Sequence, residues 1–374
     1  MIIGIPKEIR REEYRVGITP QGAADLRKSG HTVLIENSAG TGSGFPDDEY
    51  LDADADLVDR ETLYAKSDII IKVKEPLPSE YDLIRDGQTI FTFLHLAPNR
   101  DLTDALIRKQ VIALGYETLE KSGTLPLLRP MSEIAGRMAP LMGAFYLQKF
   151  VGGRGVLPMG TAGVRPARTV ILGAGIVGMN AARVSLGLGM DTAVLNRGIE
   201  RLGEIDAMFL GKVRTLSLTP ITIDRELREA DIVIGALLVP GGKTPVIITR
   251  KMLKTMRRGS VIVDVSIDQG GCAETSKPTT HDNPVYDVDG VIHYAVSNMP
   301  GSYPRTSTIA LTNATLPYIR LLAEKGIERA LLESRELKSS VNVFKGRIVH
   351  EAVAIAQGHS FRNVEDLLRK ERSI

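Results

Sequence analysis

Residues 169–178 read Thr-Val-Ile-Leu-Gly-Ala-Gly-Ile-Val-Gly. Thr169–Leu172 is β-branched and apolar, the composition of a strand buried on both faces of a parallel sheet. Gly173, Gly175 and Gly178 follow at G-x-G-x-x-G spacing, and Met179–Leu188, rich in Ala and Leu, is helical in character. A dinucleotide-binding turn needs each glycine for its own reason. Gly173 permits the tight turn, Gly175 lets a pyrophosphate approach the backbone, and Gly178 lets the helix pack on the strand. The helix N-terminus adds amide donors and a positive dipole end. The spacing alone is weak evidence. A strand before it, a helix after it and a second strand at Thr192–Leu195 make it specific, against the alternative of a glycine-rich turn between packed elements.

A chain of 374 residues has room for two domains, and 43% hydrophobic with 25% charged residues describes a soluble globular protein. The net charge of +2 gives no global reason to expect nucleic acid or a membrane as partner. Cys272 is the one cysteine, so no internal disulfide is expected, and the default location is cytoplasmic. Met1–Lys7 begins as a strand without the charged and apolar regions of a signal peptide. No apolar run reaches the length of about 18 residues expected of a membrane span. The histidines show no H-x-x-x-H spacing and there is no C-x-x-C, so no metal is expected.

Outward from the fingerprint, strands are expected at Thr192–Leu195, Asp231–Ile234, Ser260–Asp264 and Val291–Val296. Toward the N-terminus they are expected at Ile2–Ile5, Thr32–Glu36, Asp68–Val73, Thr89–Leu94 and Gln110–Leu114. Helical patterns alternate with them, one opened by Thr19 as N-cap with Pro20 behind it, another over Asp101–Lys109. Ser132 is placed to cap a long helix over about Glu133–Phe150, and Ser307–Lys325 forms a second long helix. The tail, Asn342–Lys370, has too little strand to stand alone and is expected to return to the first domain. The fold class is therefore α/β: two doubly wound, Rossmann-like domains with a cleft between them, the N-terminal one discontinuous. Residues 1–130 plus 306–374 form the expected substrate domain, and 131–305 the dinucleotide-binding domain.

Four residues outside the fingerprint lie where strands deliver ligand-binding groups. Arg15 sits in the loop after the first strand and suits bidentate binding of a carboxylate; alternatively it is a solvated arginine in a charged stretch. Lys74 ends the strand at Asp68–Val73, shares one side with Lys72 by strand periodicity, and suits polarising a carbonyl oxygen; the alternative is a surface lysine. His95 ends the next strand, so three strand ends deliver polar groups to one rim, although a single histidine is more often structural. Asp268, in Asp264-Val265-Ser266-Ile267-Asp268-Gln269-Gly270-Gly271, is an acid/base candidate or a loop residue capping a turn.

At these residues the sequence resembles the alanine dehydrogenase family. The similarity runs through Gly4-Ile5-Pro6-Lys7-Glu8, Arg15–Pro20, Lys72–Pro76, Phe93–Leu96, Pro130–Arg137, Ile267–Gly271 and Asn298-Met299-Pro300. The resemblance implies conversion of L-alanine, NAD and water to pyruvate, ammonium and NADH, in what is typically a homo-hexamer. It implies that Arg15 binds the substrate carboxylate and that Lys74 contacts the carboxylate and keto oxygen. His95 would be the acid/base on that oxygen, and Asp268 would assist at the amine and water step. Ser132 and Asn298 would border the nicotinamide and pyrophosphate.

The chain departs from the family pattern in two places. Where the family has Asp at the end of the second fingerprint strand, this chain has Asn196 followed by Arg197, with Arg201 four residues on. Asn lacks the charge that repels a 2′-phosphate, and the Asn-Arg pair resembles NADP-binding dehydrogenases, so NADP stands beside NAD as a cofactor expectation. Gly241-Gly242-Lys243-Thr244-Pro245-Val246 also differs from the usual Gly-Ala-Lys-Ala-Pro-Lys. Two rivals keep the fold: another amino-acid oxidoreductase such as saccharopine dehydrogenase, and a dinucleotide-binding subunit without chemistry of its own, like the soluble part of transhydrogenase. The convergence of Arg15, Lys74 and His95 argues against the latter.

Overall fold

A computed structural model describes residues 1–238 and 244–371; Gly241, Gly242 and Lys243 of the divergent loop lie outside the described residues. The chain divides into two compact units, Met1–Met131 with Gly301–Ile374, and Ser132–Pro300.

The first unit holds β1 (Ile2–Ile5), β2 (Thr32–Glu36), β3 (Asp56–Val58), β4 (Ile69–Ile71), β5 (Thr89–Thr92) and β6 (Ile112–Gly115). These six run parallel in the order β6-β5-β4-β1-β2-β3. The order reverses between β1 and β4, which makes their carboxyl ends the switch point where an open α/β sheet binds ligands. Ile69, Ile70 and Ile71 are buried, as are Ile3 and Ile5 of β1 and Ile90 and Phe91 of β5 on either side, as a central parallel strand requires. Helix Pro20–Lys28 starts as its sequence indicates: the Thr19 hydroxyl accepts from the Gly22 N–H, and Pro20 occupies the first turn.

In the other unit, β7 (Arg168–Leu172), β8 (Asp191–Asn196), β9 (Arg214–Ser217), β10 (Ile232–Gly235), β11 (Val261–Asp264), β12 (Val285–Val288) and β13 (Val291–Tyr294) form one sheet. Its order is β12-β13-β11-β10-β7-β8-β9, parallel except for the edge strand β12, with the reversal between β7 and β10. Ile171, Val194, Ile234 and Val263 pack one face against Ala181, Ala182, Met138 and Ala139.

The C-terminal segment joins the first sheet. There β14 (Val341–Phe344) pairs antiparallel with β6, and β15 (Arg347–Ile348) antiparallel with β14. Helix Pro304–Lys325 returns to the Arg15 loop: the Val16 and Thr19 N–H groups donate to the Thr308 and Thr312 hydroxyls, both at 3.2 Å.

The long helix expected after Ser132 begins earlier, at Arg129, and ends at Tyr146. Pro130 lies in its first turn, where a missing N–H costs nothing, so the proline opens the helix and Ser132 is inside it rather than capping it. The strand expected over Asp68–Val73 stops at Ile71. Among the described residues no helix is long and apolar enough to cross a membrane, and no group of His, Cys, Asp or Glu is arranged to hold a metal ion.

Candidate active site

The switch point of the first unit collects charged groups from three strand ends. After β1 comes Glu8, whose Oε1 accepts from the Val73 N–H at 2.7 Å and the Lys74 N–H at 3.2 Å. Those amides have left the strand ladder, and the carboxylate replaces their partners. The Thr92 hydroxyl donates to the Lys74 carbonyl at 3.0 Å, so Lys74 is fixed beyond the end of β4 rather than on it.

Lys72 and Lys74 have different fates. Lys72 is wholly buried, its ammonium 2.8 Å from Glu80 Oε1 and 3.3 Å from Glu8 Oε2. Burial works to lower its pKa, but the two carboxylates outweigh it and hold the ammonium above its usual value. Burial pushes Glu8 above the usual carboxylate range, against the pull of Lys72. The Tyr64 hydroxyl donates to Glu80 at 2.9 Å and closes the cluster. Lys72 is thus a structural cation, while Lys74 is only half buried.

Arg15 is no solvated arginine: it is 2% exposed and gripped by Glu13. Its Nε donates to Glu13 Oε1 at 2.6 Å, Nη2 donates to Oε2 at 2.5 Å, and Nη1 lies 3.0 Å from the Met131 sulfur.

His95 follows β5 in a left-handed backbone conformation, φ 47°, which few non-glycine residues adopt. Glu117, just after β6, holds that turn by accepting from the His95 N–H at 2.7 Å and the Leu94 N–H at 3.2 Å. The imidazole is exposed and stacks on Phe93, with centroids 6.0 Å apart and planes 12° apart. Phe93 is in turn wedged edge-on against Tyr116. A left-handed backbone held by a half-buried carboxylate makes His95 a candidate for a residue placed for chemistry.

In the second unit the fingerprint geometry fits a bound dinucleotide. Gly173 has φ 115°, and a side chain there would collide with the Ala236 carbonyl. A side chain at Gly178 would collide with the Gly173 carbonyl, so the helix packs on the turn only with glycine there. At Gly175 an added carbon meets nothing within 4 Å. Among the described residues nothing requires glycine at that position, whereas a pyrophosphate against the backbone would. Helix Ile176–Gly187 begins directly behind it with no side-chain cap, leaving its first amides for an anion.

Asn196, at the end of β8, ties this loop together. Its Oδ1 accepts from the Ala174 N–H at 3.2 Å and its Nδ2 donates to the Gly198 carbonyl at 3.0 Å. Arg197 is exposed, and Arg201 pairs with Glu204 at 2.6 Å on the surface. Asn298 has φ 63° just before a short 3₁₀ turn over Met299–Ser302, and Ser132 is half buried in its helix.

Asp268 is exposed on a 3₁₀ turn after β11. The residue that builds that loop is buried Asp264, which accepts from the Ser266 N–H at 3.1 Å, the Cys272 N–H at 2.8 Å and the Ser276 hydroxyl at 2.6 Å. Cys272 is buried beside it, and its thiol pKa is pushed well up, so it is unreactive. Glu13, Glu117, Asp264 and the Glu8–Lys72–Glu80 cluster were not singled out by sequence, because a supporting carboxylate has no spacing rule of its own.

Loss of Lys74 is expected to lower kcat/KM for a small 2-oxo acid at least about tenfold, because a charge-assisted partner is removed from the substrate anion. Arg15→Ala also removes the ion pair made by the buried Glu13 carboxylate and is expected to destabilise the fold by about 3–5 kcal/mol. Arg15→Lys is the cleaner comparison, since it keeps the charge and loses the fork. Steady-state kinetics of both variants check the expectation, and wild-type kcat/KM for either sinks that residue's assignment.

Two family models match the chain: "Alanine dehydrogenase/PNT, N-terminal domain" over residues 4–135 and "Alanine dehydrogenase/PNT, C-terminal domain" over residues 139–351. An alanine dehydrogenase of Staphylococcus haemolyticus is 48% identical over 373 residues, covering 99% of this chain and 100% of the relative. Alanine dehydrogenase 2 of Staphylococcus aureus is 47% identical over 371 residues, with the same coverage. A solved L-alanine dehydrogenase superposes with a TM-score of 0.92 at 46% identity, over 95% of this chain and 99% of that one. A transhydrogenase from Sinorhizobium meliloti gives a TM-score of 0.81 at 23% identity, over 93% of this chain and 100% of that one, a likeness of fold alone. With both halves matched and near-full coverage of its relatives, this chain belongs to the alanine dehydrogenase/PNT family.

Proposed function

We propose that this chain catalyses the reversible oxidative deamination of L-alanine to pyruvate and ammonium, with a nicotinamide dinucleotide as hydride carrier. The observation that carries the reading is that Arg15, Lys74 and His95 all follow the carboxyl ends of strands that lie side by side, β1, β4 and β5. In this assignment residues 1–130 with 306–374 bind the amino or keto acid, and residues 131–305 bind the dinucleotide. Arg15 and Lys74 meet the substrate carboxylate, and Lys74 also polarises the keto oxygen. His95 moves the proton on that oxygen, and Asp268 assists where ammonia and water exchange. The cofactor supplies hydride exchange at the substrate Cα. Ser132, Gly173, Gly175, Gly178 and Asn298 line its place, and Asn196, Arg197 and Arg201 stand at the adenosine ribose.

Asn196 cannot carry the negative charge that excludes a 2′-phosphate, which supports use of NADP alongside NAD or in preference to it. The exposed Phe145 and Phe150, at 43% and 77% and with rings 6.1 Å apart, support self-association, with the hexamer of the family as the proposed state and the cytoplasm as the proposed location. The purified chain is expected to oxidise NADH or NADPH only when pyruvate and ammonium are both present. Hydride exchange between two nucleotides without any keto acid would overturn the reading in favour of a transhydrogenase-like subunit.

A further inference from the structure

Asp268 stands on an arch, residues 265–271, whose two feet are tied by one buried carboxylate. Asp264, at the end of β11, is 2% exposed. Its Oδ1 accepts from the Ser266 N–H at 3.1 Å, at the near foot. Its Oδ2 accepts from the Cys272 N–H at 2.8 Å, just past the far foot, and from the Ser276 hydroxyl at 2.6 Å. Both amides have left the strand ladder, and the carboxylate takes the place of a ladder partner for each. Inside the arch the Gly271 N–H donates to the Ser266 carbonyl at 3.1 Å and the Gly270 N–H to the Ile267 carbonyl at 2.9 Å. A side chain at Gly271 would lie 2.7 Å from Asp264 Oδ2, so the chain passes this close to the carboxylate only as glycine.

The segment beyond the far foot is itself anchored. The Nδ1 of buried His293, on β13, lies 3.0 Å from the Val291 carbonyl, and its Nε2 lies 2.8 Å from the Thr275 hydroxyl. Nδ1 therefore carries the proton and Nε2 accepts from Thr275. Burial holds this imidazole below its usual pKa, which keeps it neutral. At the near foot the Leu237 N–H donates to the Ser266 hydroxyl at 3.0 Å and fastens the arch to the loop after β10. Between these supports Ser266 and Ile267 are buried, and Asp268, the one ionisable side chain of the arch, is exposed.

We infer that Asp264 is a positioning residue for Asp268: by tying both feet of the arch to the end of β11, it sets where the Asp268 carboxylate stands before substrate binds. The inference rests on the reading of Asp268 as the group that assists where ammonia and water exchange. An acid/base group on an untied loop would be ordered at the expense of its catalytic effect, and Asp264 makes that ordering part of folding.

The test is steady-state amination of pyruvate on the full chain with Asp264→Asn, Asp268→Asn and the double variant. Rates are counted per dinucleotide site titrated with NADH, so protein that has not folded does not enter. Asparagine keeps the volume of aspartate but replaces one acceptor oxygen by an amine. It turns that amine against either the Ser266 or the Cys272 N–H and so releases one foot. Asp264→Asn is expected to lower kcat/KM for ammonium at least about tenfold, with the pyruvate KM within about twofold and the NADH Kd within about threefold of wild type. Asp268→Asn is expected to lose at least as much. Because Asp264 acts through Asp268, the double variant is expected to fall below Asp268→Asn by no more than about threefold.

A wild-type kcat/KM for ammonium in Asp264→Asn, beside a loss in Asp268→Asn, overturns the role of Asp264 and leaves Asp268 in place. Losses that multiply in the double variant overturn it too, as does a loss matched by the pyruvate KM and the NADH Kd, the behaviour of a carboxylate that only stabilises its surroundings. A wild-type value in Asp268→Asn removes Asp268 from the ammonia step and the inference with it. If Asp264→Asn does not fold, Asp264→Glu decides the matter, since the longer side chain keeps the charge and displaces the feet. A loss toward ammonium with the pyruvate KM unchanged supports positioning, and a wild-type value overturns it.

Discussion

Replacing His95 by asparagine is expected to lower kcat by about 10²–10⁴-fold, the usual worth of a positioned acid/base group. Asparagine is the informative choice because of the backbone. His95 has φ 47°, a conformation that Asn tolerates better than Ala, so the Glu117-held turn survives while the proton carrier is lost. The side chain is exposed and, among the described residues, its ring contact is with Phe93, so little packing is forfeited and the melting temperature should stay near wild type. Cofactor affinity should also hold, since His95 belongs to the unit without the glycine fingerprint. Stopped-flow or steady-state rates with pyruvate and ammonium, beside a direct titration of the dinucleotide, separate the outcomes. Weakened cofactor binding with kcat intact would make His95 structural and leave the keto oxygen without its proton source.

The central strands of both sheets are legible in the sequence because they are buried on both faces. Thr169–Leu172 and Thr89–Thr92 show it as unbroken apolar or β-branched runs with no alternation to confuse. The edges are not. Strand β3 is three residues, Asp-Leu-Val, and β9 is Arg-Thr-Leu-Ser; each pairs on one side only and needs no apolar run. Strand β12 left a signal that went unused. Asp289 and Gly290, with φ 55° and 85°, form the tight Asp-Gly turn that joins it to β13.

The site divides along the same line. Residues that project from strand ends toward a ligand stand out by position, and Arg15, Lys74 and His95 all lie where the doubly wound order puts ligand-binding loops. Residues that hold them in place do not stand out. Glu8 is 65 residues in sequence from the Val73 amide it binds, and Glu117 is 22 residues from His95. Their partners become neighbours only when parallel strands are laid side by side. Glu13 is near Arg15 in sequence, but in a stretch so rich in charge that it reads as solvated surface until its burial is known.

Replacing Arg197 by aspartate is expected to lower kcat/KM for NADPH at least about a hundredfold and to leave that for NADH within about threefold. The reasoning starts at the end of β8. A carboxylate there accepts hydrogen bonds from the ribose hydroxyls and repels a 2′-phosphate. Asn196 is committed elsewhere: its amide bridges the Ala174 N–H and the Gly198 carbonyl, which closes the turn and places no negative charge beside the ribose. Arg201 is in the first turn of the following helix and already paired with Glu204 at 2.6 Å, so a phosphate would have to compete for it. Arg197 is the exposed cation next to Asn196 and is the residue proposed to meet the phosphate. A new carboxylate at 197 removes that cation and adds repulsion, whereas the NADH ribose has no phosphate to lose. The wild-type chain should accordingly use NADPH and NADH at comparable kcat/KM with pyruvate and ammonium fixed. A wild-type preference for NADH above about a hundredfold, roughly 2.7 kcal/mol, would mean that removing the charge at position 196 does not by itself admit the phosphate.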